Sequence, residues 1–207
     1  MLDNIKWLGH STIKLLGNRI IYIDPYNIKD ELHDADYIFI THSHYYHYSE
    51  VDLKKCLKED TKVIVTTDLL DKVINLGLSE NNIISVLPNN IYSLEDLNFR
   101  AIPSYNINKN YHPKSNNWVG YVINYNKVTY YVAGDTDNTP EAQKVKCNVA
   151  FLPIGGTFTM TAEEAAELAN IIKPKIVIPI HYGTIVGTMD DAITFKNLVN
   201  EDINCEI

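Results

Sequence analysis

The sequence predicts an α/β fold in which β-sheets carry helices packed on their outer side. Short apolar runs typical of buried strands occur in both halves of the 207 residues. Segments with helix-start signals fall between or after these runs, without a regular strand–helix alternation. This pattern does not distinguish a doubly wound sheet from two sheets packed face to face, so both arrangements stay open.

The first half is predicted to begin with strands joined by a turn at Gly17-Asn18. Ser49 is the expected N-cap of the helix SEVDLKKCLKE, because an acidic first turn follows it. A second helix, DLLDKVINLG, is expected to end at Gly77. The predicted strands are IKWLGHSTIKLLG, NRIIYIDPY, DYIFITH, TKVIVT and NIISVL.

The second half is predicted to be richer in strands, with a turn over Asn124 to Asn126. Thr161 and Glu164 have the spacing of a capping box, so a helix TAEEAAELANIIK is expected to start there and end before Pro174. The last helix is predicted at DDAITFKNLVNED. The predicted strands are LNFRAIPSY, WVGYVINY, KVTYYVAGD, VAFLPIGG and KIVIPIHYG.

Composition and charge favour a cytoplasmic protein with a single domain over residues 1–207. The chain is 45% hydrophobic with a formal net charge of −8, which argues against a broad basic surface for nucleic acid. Cys56, Cys147 and Cys205 form no CxxC pair, as is typical of a reducing compartment. A signal peptide and an apolar run of roughly 20 residues are both missing, so no membrane partner is expected. The oligomeric state is not predicted.

The stretch THSHYYHYS contains His42, His44 and His47, three of the chain's seven histidines. If the preceding strand continues, His42 and His44 point to the same side, since side chains alternate with period two. His47 follows where the chain turns towards a helix. Imidazoles without thiolates suit ions such as zinc, iron, nickel or copper. The alternative, surface histidines in a polar loop, is disfavoured by their clustering at a strand exit.

Two later strands also end in polar residues of the kind that bind metals. The predicted strand in YYVAGDTD is followed by Asp135, and the predicted strand in KIVIPIHYG is followed by His181. Taken singly, Asp135 is equally well explained as a turn former and His181 as a hydrogen-bonded histidine. Together with the histidine cluster they indicate one functional site held by rigid strand ends.

The segment THSHYYH closely resembles the THxHxDH signature of the metallo-β-lactamase-fold hydrolases. The resemblance begins with WLGHSTIKL and IDP and continues through YYVAGDTD, LPIGGTFTM and IPIHYG in the same order, so that it covers essentially the whole chain. It is greatest to the compact prokaryotic branch that includes the ascorbate-6-phosphate lactonase-like proteins. The implied fold is a four-layer αβ/βα sandwich, with two mixed β-sheets face to face, helices outside and a metal site at one edge.

The resemblance also implies a set of metal ligands and catalytic residues. His112 is assigned as the third ligand of the first ion because it is the only histidine between the signature and Asp135; an exposed loop histidine before Pro113 is the alternative. Asp135 is expected to bridge two ions and, with His181, to carry catalysis. The implied ligands are His42, His44 and His112 for the first ion, His47 and His181 for the second, and Asp135 for both.

Supporting roles are implied for three further positions. His10 is expected to contact substrate or, as we favour, to support the loop beside the site. Asp24 is expected to orient a metal-bound histidine, as outer carboxylates do, or to form a turn before Pro25. Gly155 and Gly156 are expected to provide a tight turn near the site.

Tyr46 departs from the family pattern, which has a metal-binding aspartate at this position. A phenol has a pKa near 10 and is bulkier than a carboxylate, so ligation needs assistance from the metal. Tyr46 either binds the metal nonetheless, or weakens the second site, or accompanies a loss of hydrolysis. We expect reduced occupancy of the second site.

The function implied is a metal-dependent hydrolase that acts on a small ester, lactone or phosphoester through a metal-activated hydroxide. The implied cofactor is one or two divalent ions, zinc first, with manganese or iron as alternatives. One alternative is a catalytically degenerate member of the fold that binds a ligand or metal. A further alternative is a nuclease of the same superfamily, which the acidic balance disfavours.

Overall fold

The computed structural model describes residues 2–207, which form two compact units, the first ending at Leu87 and the second spanning Pro88–Ile207. Each unit contains one mixed β-sheet with its own helices. Short 3₁₀ helices lie at Leu2–Asn4, Thr67–Leu69, Glu80–Asn82, Lys114–Asn116 and Ala142–Lys144. Within the described residues, no helix has the length and apolar character needed to cross a membrane. The single-domain organisation stays a prediction.

The first unit is built on a six-stranded sheet in which the strands follow the order of the chain. Its strands are β1 Ile5–Gly9, β2 Thr12–Leu15, β3 Ile21–Ile23, β4 Tyr37–Phe39, β5 Lys62–Thr66 and β6 Ile83–Val86. β1, β2 and β3 pair antiparallel, whereas β3 to β6 are parallel. Parallel pairs require crossovers, and α1 Glu50–Cys56 and α2 Leu70–Ile74 lie in two of them.

The predicted start of α1 is confirmed, because Ser49 Oγ accepts a hydrogen bond from the backbone N–H of Asp52. The carboxylate of Asp52 in turn accepts bonds of 2.9 Å from the backbone N–H groups of Asn27 and Ile28. The segment after β3 is therefore tied to the first turn of α1, and Ile28 and Leu53 share one apolar cluster.

Two local predictions in the first unit need correction. IKWLGHSTIKLLG is not continuous: Gly9 and His10 have φ values of +116° and +46° and turn the chain between β1 and β2. The helix predicted at DLLDKVINLG is short, since α2 ends at Ile74. Gly77, at φ +84°, lies just beyond it, in the turn that follows.

The second unit is built on a seven-stranded sheet of order β13-β12-β11-β10-β9-β8-β7. Its strands are β7 Ile91–Ser93, β8 Asn98–Pro103, β9 Val119–Tyr125, β10 Val128–Val132, β11 Val149–Pro153, β12 Ile176–Ile180 and β13 Asn204–Cys205. β7 to β10 pair antiparallel and β10 to β13 are parallel. Its helices are α3 Ala162–Ile172 and α4 Met189–Leu198.

The capping box at Thr161 and Glu164 is confirmed, with both reciprocal hydrogen bonds present. α3 ends at Ile172, and its C-cap Lys173 adopts φ +49° directly before Pro174. The turn expected over Asn124 to Asn126 lies slightly later. Asn126 and Lys127 have φ values of +48° and +63°, as a two-residue hairpin turn of the I′ type requires.

Candidate metal site

The histidines of THSHYYHYS lie in a loop, because β4 already ends at Phe39. The expected strand alternation of His42 and His44 is therefore wrong, although the two rings do converge. A tight turn follows, in which the N–H groups of His47 and Tyr48 donate to His44 O at 2.9 and 2.8 Å. His42 Nε2 and His44 Nδ1 are 3.2 Å apart, which matches the edge of about 3.3 Å of a tetrahedron with zinc–nitrogen bonds of 2.0–2.1 Å.

Asp24 orients the histidine at the end of this loop. Its buried carboxylate lies 2.6 Å from His47 Nδ1 and accepts bonds from the N–H and hydroxyl of Thr41 at 2.8 and 2.7 Å. His47 is thereby fixed with its other nitrogen, Nε2, on the side away from the carboxylate. This is the geometry by which an outer carboxylate prepares a metal-binding imidazole.

Thr41 connects Asp24 to a second histidine, a role that was not predicted from the sequence. Its Oγ1 lies 2.9 Å from His42 Nδ1. Because the hydroxyl donates its only hydrogen to Asp24, it accepts from His42 Nδ1. The basic nitrogen of His42 is then Nε2, the one next to His44.

Tyr46 lies among the histidines of the first unit rather than in solvent. Only 7% of it is exposed, and its ring centroid is 4.8 Å from that of His47 and 5.0 Å from that of His10. His10 is buried in the turn between β1 and β2, and its carbonyl accepts a 2.9 Å bond from Trp7 Nε1. The phenol therefore packs against residues that the resemblance places at or beside the metals.

In the second unit, two histidines converge on Asp135, just beyond the end of β10. Asp135 Oδ2 is 3.2 Å from His112 Nε2 and 3.1 Å from His181 Nε2. All three side chains are buried. The alternative of an exposed loop position for His112 is therefore wrong.

Asn106 holds His112 in this position and was missed by the sequence analysis. Its Oδ1 accepts 3.0 Å bonds from both the backbone N–H and Nδ1 of His112. Its Nδ2 donates to Asp137 Oδ1 at 3.0 Å and to Phe158 O at 2.9 Å, which fixes the orientation of the amide. His112 Nδ1 therefore carries the hydrogen, and Nε2 is the basic nitrogen that faces Asp135.

Gly155 and Gly156 form the expected tight turn, in which the N–H of Thr157 donates to Gly155 O at 2.8 Å and Gly156 has φ +72°. Gly155 also serves close packing. A Cβ at this position would lie 2.7 Å from His181 O and 2.8 Å from His181 Nδ1, too close for any side chain. A side chain at position 155 would therefore displace His181.

The donor set in each unit fits a divalent transition metal. The first unit contributes imidazoles, and the second contributes two imidazoles and a carboxylate, a combination suited to zinc or iron. Among residues 2–207, neither group of side chains that could hold an ion includes a cysteine, and burial raises the pKa of Cys56 and of Cys147 to about 12.

Comparisons with known proteins agree with these observations. A family model described as a beta-lactamase superfamily domain matches residues 4–181. A UPF0173 metal-dependent hydrolase of Nanoarchaeum equitans is 32% identical over 213 residues, covering 95% of this chain and 92% of that protein.

Solved structures extend the likeness to the fold. The crystal structure of a candidate metal-dependent hydrolase from Parabacteroides distasonis aligns with a TM-score of 0.82 at 28% identity, covering 98% of this chain and 91% of the other. Igni18, a metallo hydrolase from Ignicoccus hospitalis, aligns with a TM-score of 0.78 at 21% identity, covering 98% and 93%. Both alignments extend over almost the full length of the chain.

Proposed function

The chain belongs to the metallo-β-lactamase superfamily of metal-dependent hydrolases, and on that premise we propose that it hydrolyses a small ester, lactone or phosphoester. The membership confirms the family resemblance and the predicted fold class. The proposed cofactor is one or two divalent ions, zinc first, with manganese or iron as alternatives. The observation that carries the proposal is the convergence of His112 and His181 on the buried carboxylate of Asp135.

We propose that the convergent donors of each unit are metal ligands. Within each unit, hydrogen bonds hold the histidine nitrogens in place for an ion. A bound divalent ion supplies Lewis acidity, which lowers the pKa of water to roughly 7. The proposed ligands are His42, His44, His47, His112, Asp135 and His181.

Side chains of this protein are proposed to position the water and the metal ligands. Asp135 is proposed to orient the attacking water and to accept its proton, since its carboxylate lies between two imidazole nitrogens. Asp24 and Asn106 hold His47 and His112 against rotation. His10 supports the loop through its contact with Tyr46.

A second candidate function is a degenerate fold member that binds a ligand or metal without turnover, and the buried Tyr46 among the histidines favours it. The net charge of −8 weighs against a nuclease. We propose a cytoplasmic, single-domain protein with a small-molecule substrate and neither nucleic-acid nor membrane partners.

A substrate panel tests the leading function. Purified protein is assayed on generic esters, lactones and phosphodiesters, with and without added zinc, manganese or iron. His42→Ala is compared with His33→Ala, which changes an exposed loop histidine. Metal-dependent turnover that only His42→Ala abolishes supports the hydrolase and excludes the pure binding protein. Stoichiometric metal binding without turnover on any substrate favours the degenerate member instead.

A further inference from the structure

The first unit contains a pocket of about 420 Å³ beside β1 and β2. This volume lies in the range of small-molecule sites. Its walls include Lys6, Trp7, Lys14, Tyr22 and Lys29. None of the six proposed metal ligands lines it, so the pocket is not part of the site described above.

Two of these lysines lie directly opposite each other in the sheet. Lys6 pairs with Lys14 between β1 and β2, and Lys14 pairs with Tyr22 between β2 and β3. Like charges at opposed positions of an antiparallel pair are unfavourable. A counter-charge at this place would therefore stabilise the protein.

Asp34 neutralises the charge of only one of the two opposed lysines, Lys14. Lys14 is largely buried, and its Nζ lies 2.6 Å from Asp34 Oδ2 and 4.7 Å from the ring centroid of Tyr22. Tyr22 donates a 2.9 Å hydrogen bond to Asp34 Oδ1. Burial and this bond raise the pKa of Tyr22, so that it stays a neutral donor. Lys14 is thus a fixed, pre-ordered charge in the pocket wall.

Within the described part of the chain, the positive charges of Lys6 and Lys29 are not neutralised by a carboxylate. Among residues 2–207, no ion pair joins either side chain to a carboxylate. The pocket wall holds three lysines and one aspartate, Asp30; because Asp34 neutralises Lys14, one positive charge remains in excess, in a chain whose net charge is −8. A local excess of positive charge in a concave site attracts small anions.

Leu8 and Leu32 give the pocket an apolar side. Their exposed side chains line the pocket beside the lysines. Apolar side chains next to cationic groups suit a ligand that has both an apolar body and a negative charge.

We propose that this pocket is a binding site for a small organic anion, an apolar body that carries one phosphate or carboxylate group. Lys6 and Lys29 bind the anionic group beside the fixed Lys14. The apolar body lies against Leu8 and Leu32. The site is separate from the metal centre, and its ligand binds whether or not metal is present.

Calorimetry on the full chain treated with EDTA tests the site, with phenylphosphonate, benzoate and inorganic phosphate as probes. We expect phenylphosphonate or benzoate to bind, and the tighter of the two identifies the anionic group. Inorganic phosphate is expected to bind at least about tenfold more weakly, because it lacks the apolar body.

The matched variants are two pairs of exposed lysines. Lys6→Gln with Lys29→Gln is expected to weaken binding roughly tenfold or more, whereas Lys54→Gln with Lys146→Gln leaves it unchanged. Circular dichroism verifies that both proteins are folded. Absence of binding by all three probes, equal affinity in both double variants, or binding that only His42→Ala removes would each overturn the proposal.

Discussion

Asn106 determines which nitrogen of His112 carries the hydrogen, and so which one is available to a metal. Its amide is itself fixed by Asp137 and by Phe158 O. Asn106→Ala is expected to lower metal affinity by about 10- to 100-fold, as removal of an outer partner of a ligand does. Competition with a chromophoric chelator measures this directly.

The control for this prediction is Asn110→Ala, which removes an exposed amide from the same loop. Loss of affinity in both variants would indicate a general disturbance of the loop. Unchanged affinity in Asn106→Ala, with the protein folded, would contradict a positioning role for this residue.

The family resemblance implies that Tyr46 replaces a metal-binding aspartate, and its ring lies 4.8 Å from that of His47. We expect the wild-type protein to hold the second ion weakly and Tyr46→Asp to raise its occupancy, because a carboxylate ligates far more readily than a phenol. Elemental analysis after gel filtration gives the ratio of metal to protein. Tyr45→Asp is the matched control, since Tyr45 is 63% exposed. Two tightly held ions in the wild type, unchanged by Tyr46→Asp, would rule out this expectation.

The residues of the candidate site were predictable from the sequence to different degrees. His42, His44 and His47 were found from their clustering. The geometry of their side chains depends on a turn, which the hydrophobic periodicity of the sequence does not predict. Thr41 and Asn106 were missed because threonine and asparagine are common loop residues. Their role arises only from hydrogen bonds made in the folded chain.

At the level of elements, Asp52 connects α1 to the segment after β3. Burial alone would raise its pKa, but the hydrogen bonds that it accepts outweigh this effect and lower the pKa below its usual value. The donors are the Ser49 hydroxyl, the backbone N–H groups of Asn27 and Ile28 and the Lys55 ammonium. The ionised carboxylate is therefore favoured in the folded state.

Because the pKa of Asp52 is lower in the folded state, the contribution of Asp52 to the free energy of unfolding decreases as the pH falls. The stabilisation by Asp52 is fully present above the unfolded-state value of about 3.9 and is lost as the pH falls through the lower folded-state pKa. Asp52→Asn is expected to reduce the free energy of unfolding at pH 7 by about 2–3 kcal/mol and to flatten its decline in acid. Urea unfolding at several pH values measures both effects. Asp60→Asn, at a side chain that is 75% exposed, should change neither; an equal loss in the two variants would refute the assignment.

Elements whose ends are set by local chemistry were predicted well. Ser49 and Thr161 start helices at the expected residues, because a side-chain oxygen caps the first turn. The end of β4 was predicted too far along the chain. The N–H of Ile40 still donates to Ile64 O in the neighbouring strand, but the N–H of Thr41 donates to the carboxylate of Asp24 instead. That bend is stabilised by a residue far away in the sequence, which a local pattern does not contain.

At the level of the whole molecule, the sequence determines the class of protein more firmly than the arrangement of its strands. The order of the motifs led to the family, and the family resemblance implied the two mixed sheets that the structure contains; the strand pattern alone left a doubly wound sheet equally open. The short strands β7 and β13 were missed, as they are two or three residues long. Such strands exist because a neighbouring strand offers free hydrogen-bonding groups, which is a property of the folded sheet.

The proposed ligands extend along the chain from His42 to His181, so metal binding and folding are coupled. A ligand that binds only the folded state adds about 2.7 kcal/mol at one hundred times its dissociation constant. For about 200 residues this corresponds to a rise of roughly 5–10 °C in the unfolding midpoint. Zinc added to metal-stripped protein is expected to produce this rise in scanning calorimetry. His33→Ala should keep the rise and His42→Ala should lose most of it. An equal rise in both variants would show that the stabilising ion binds elsewhere.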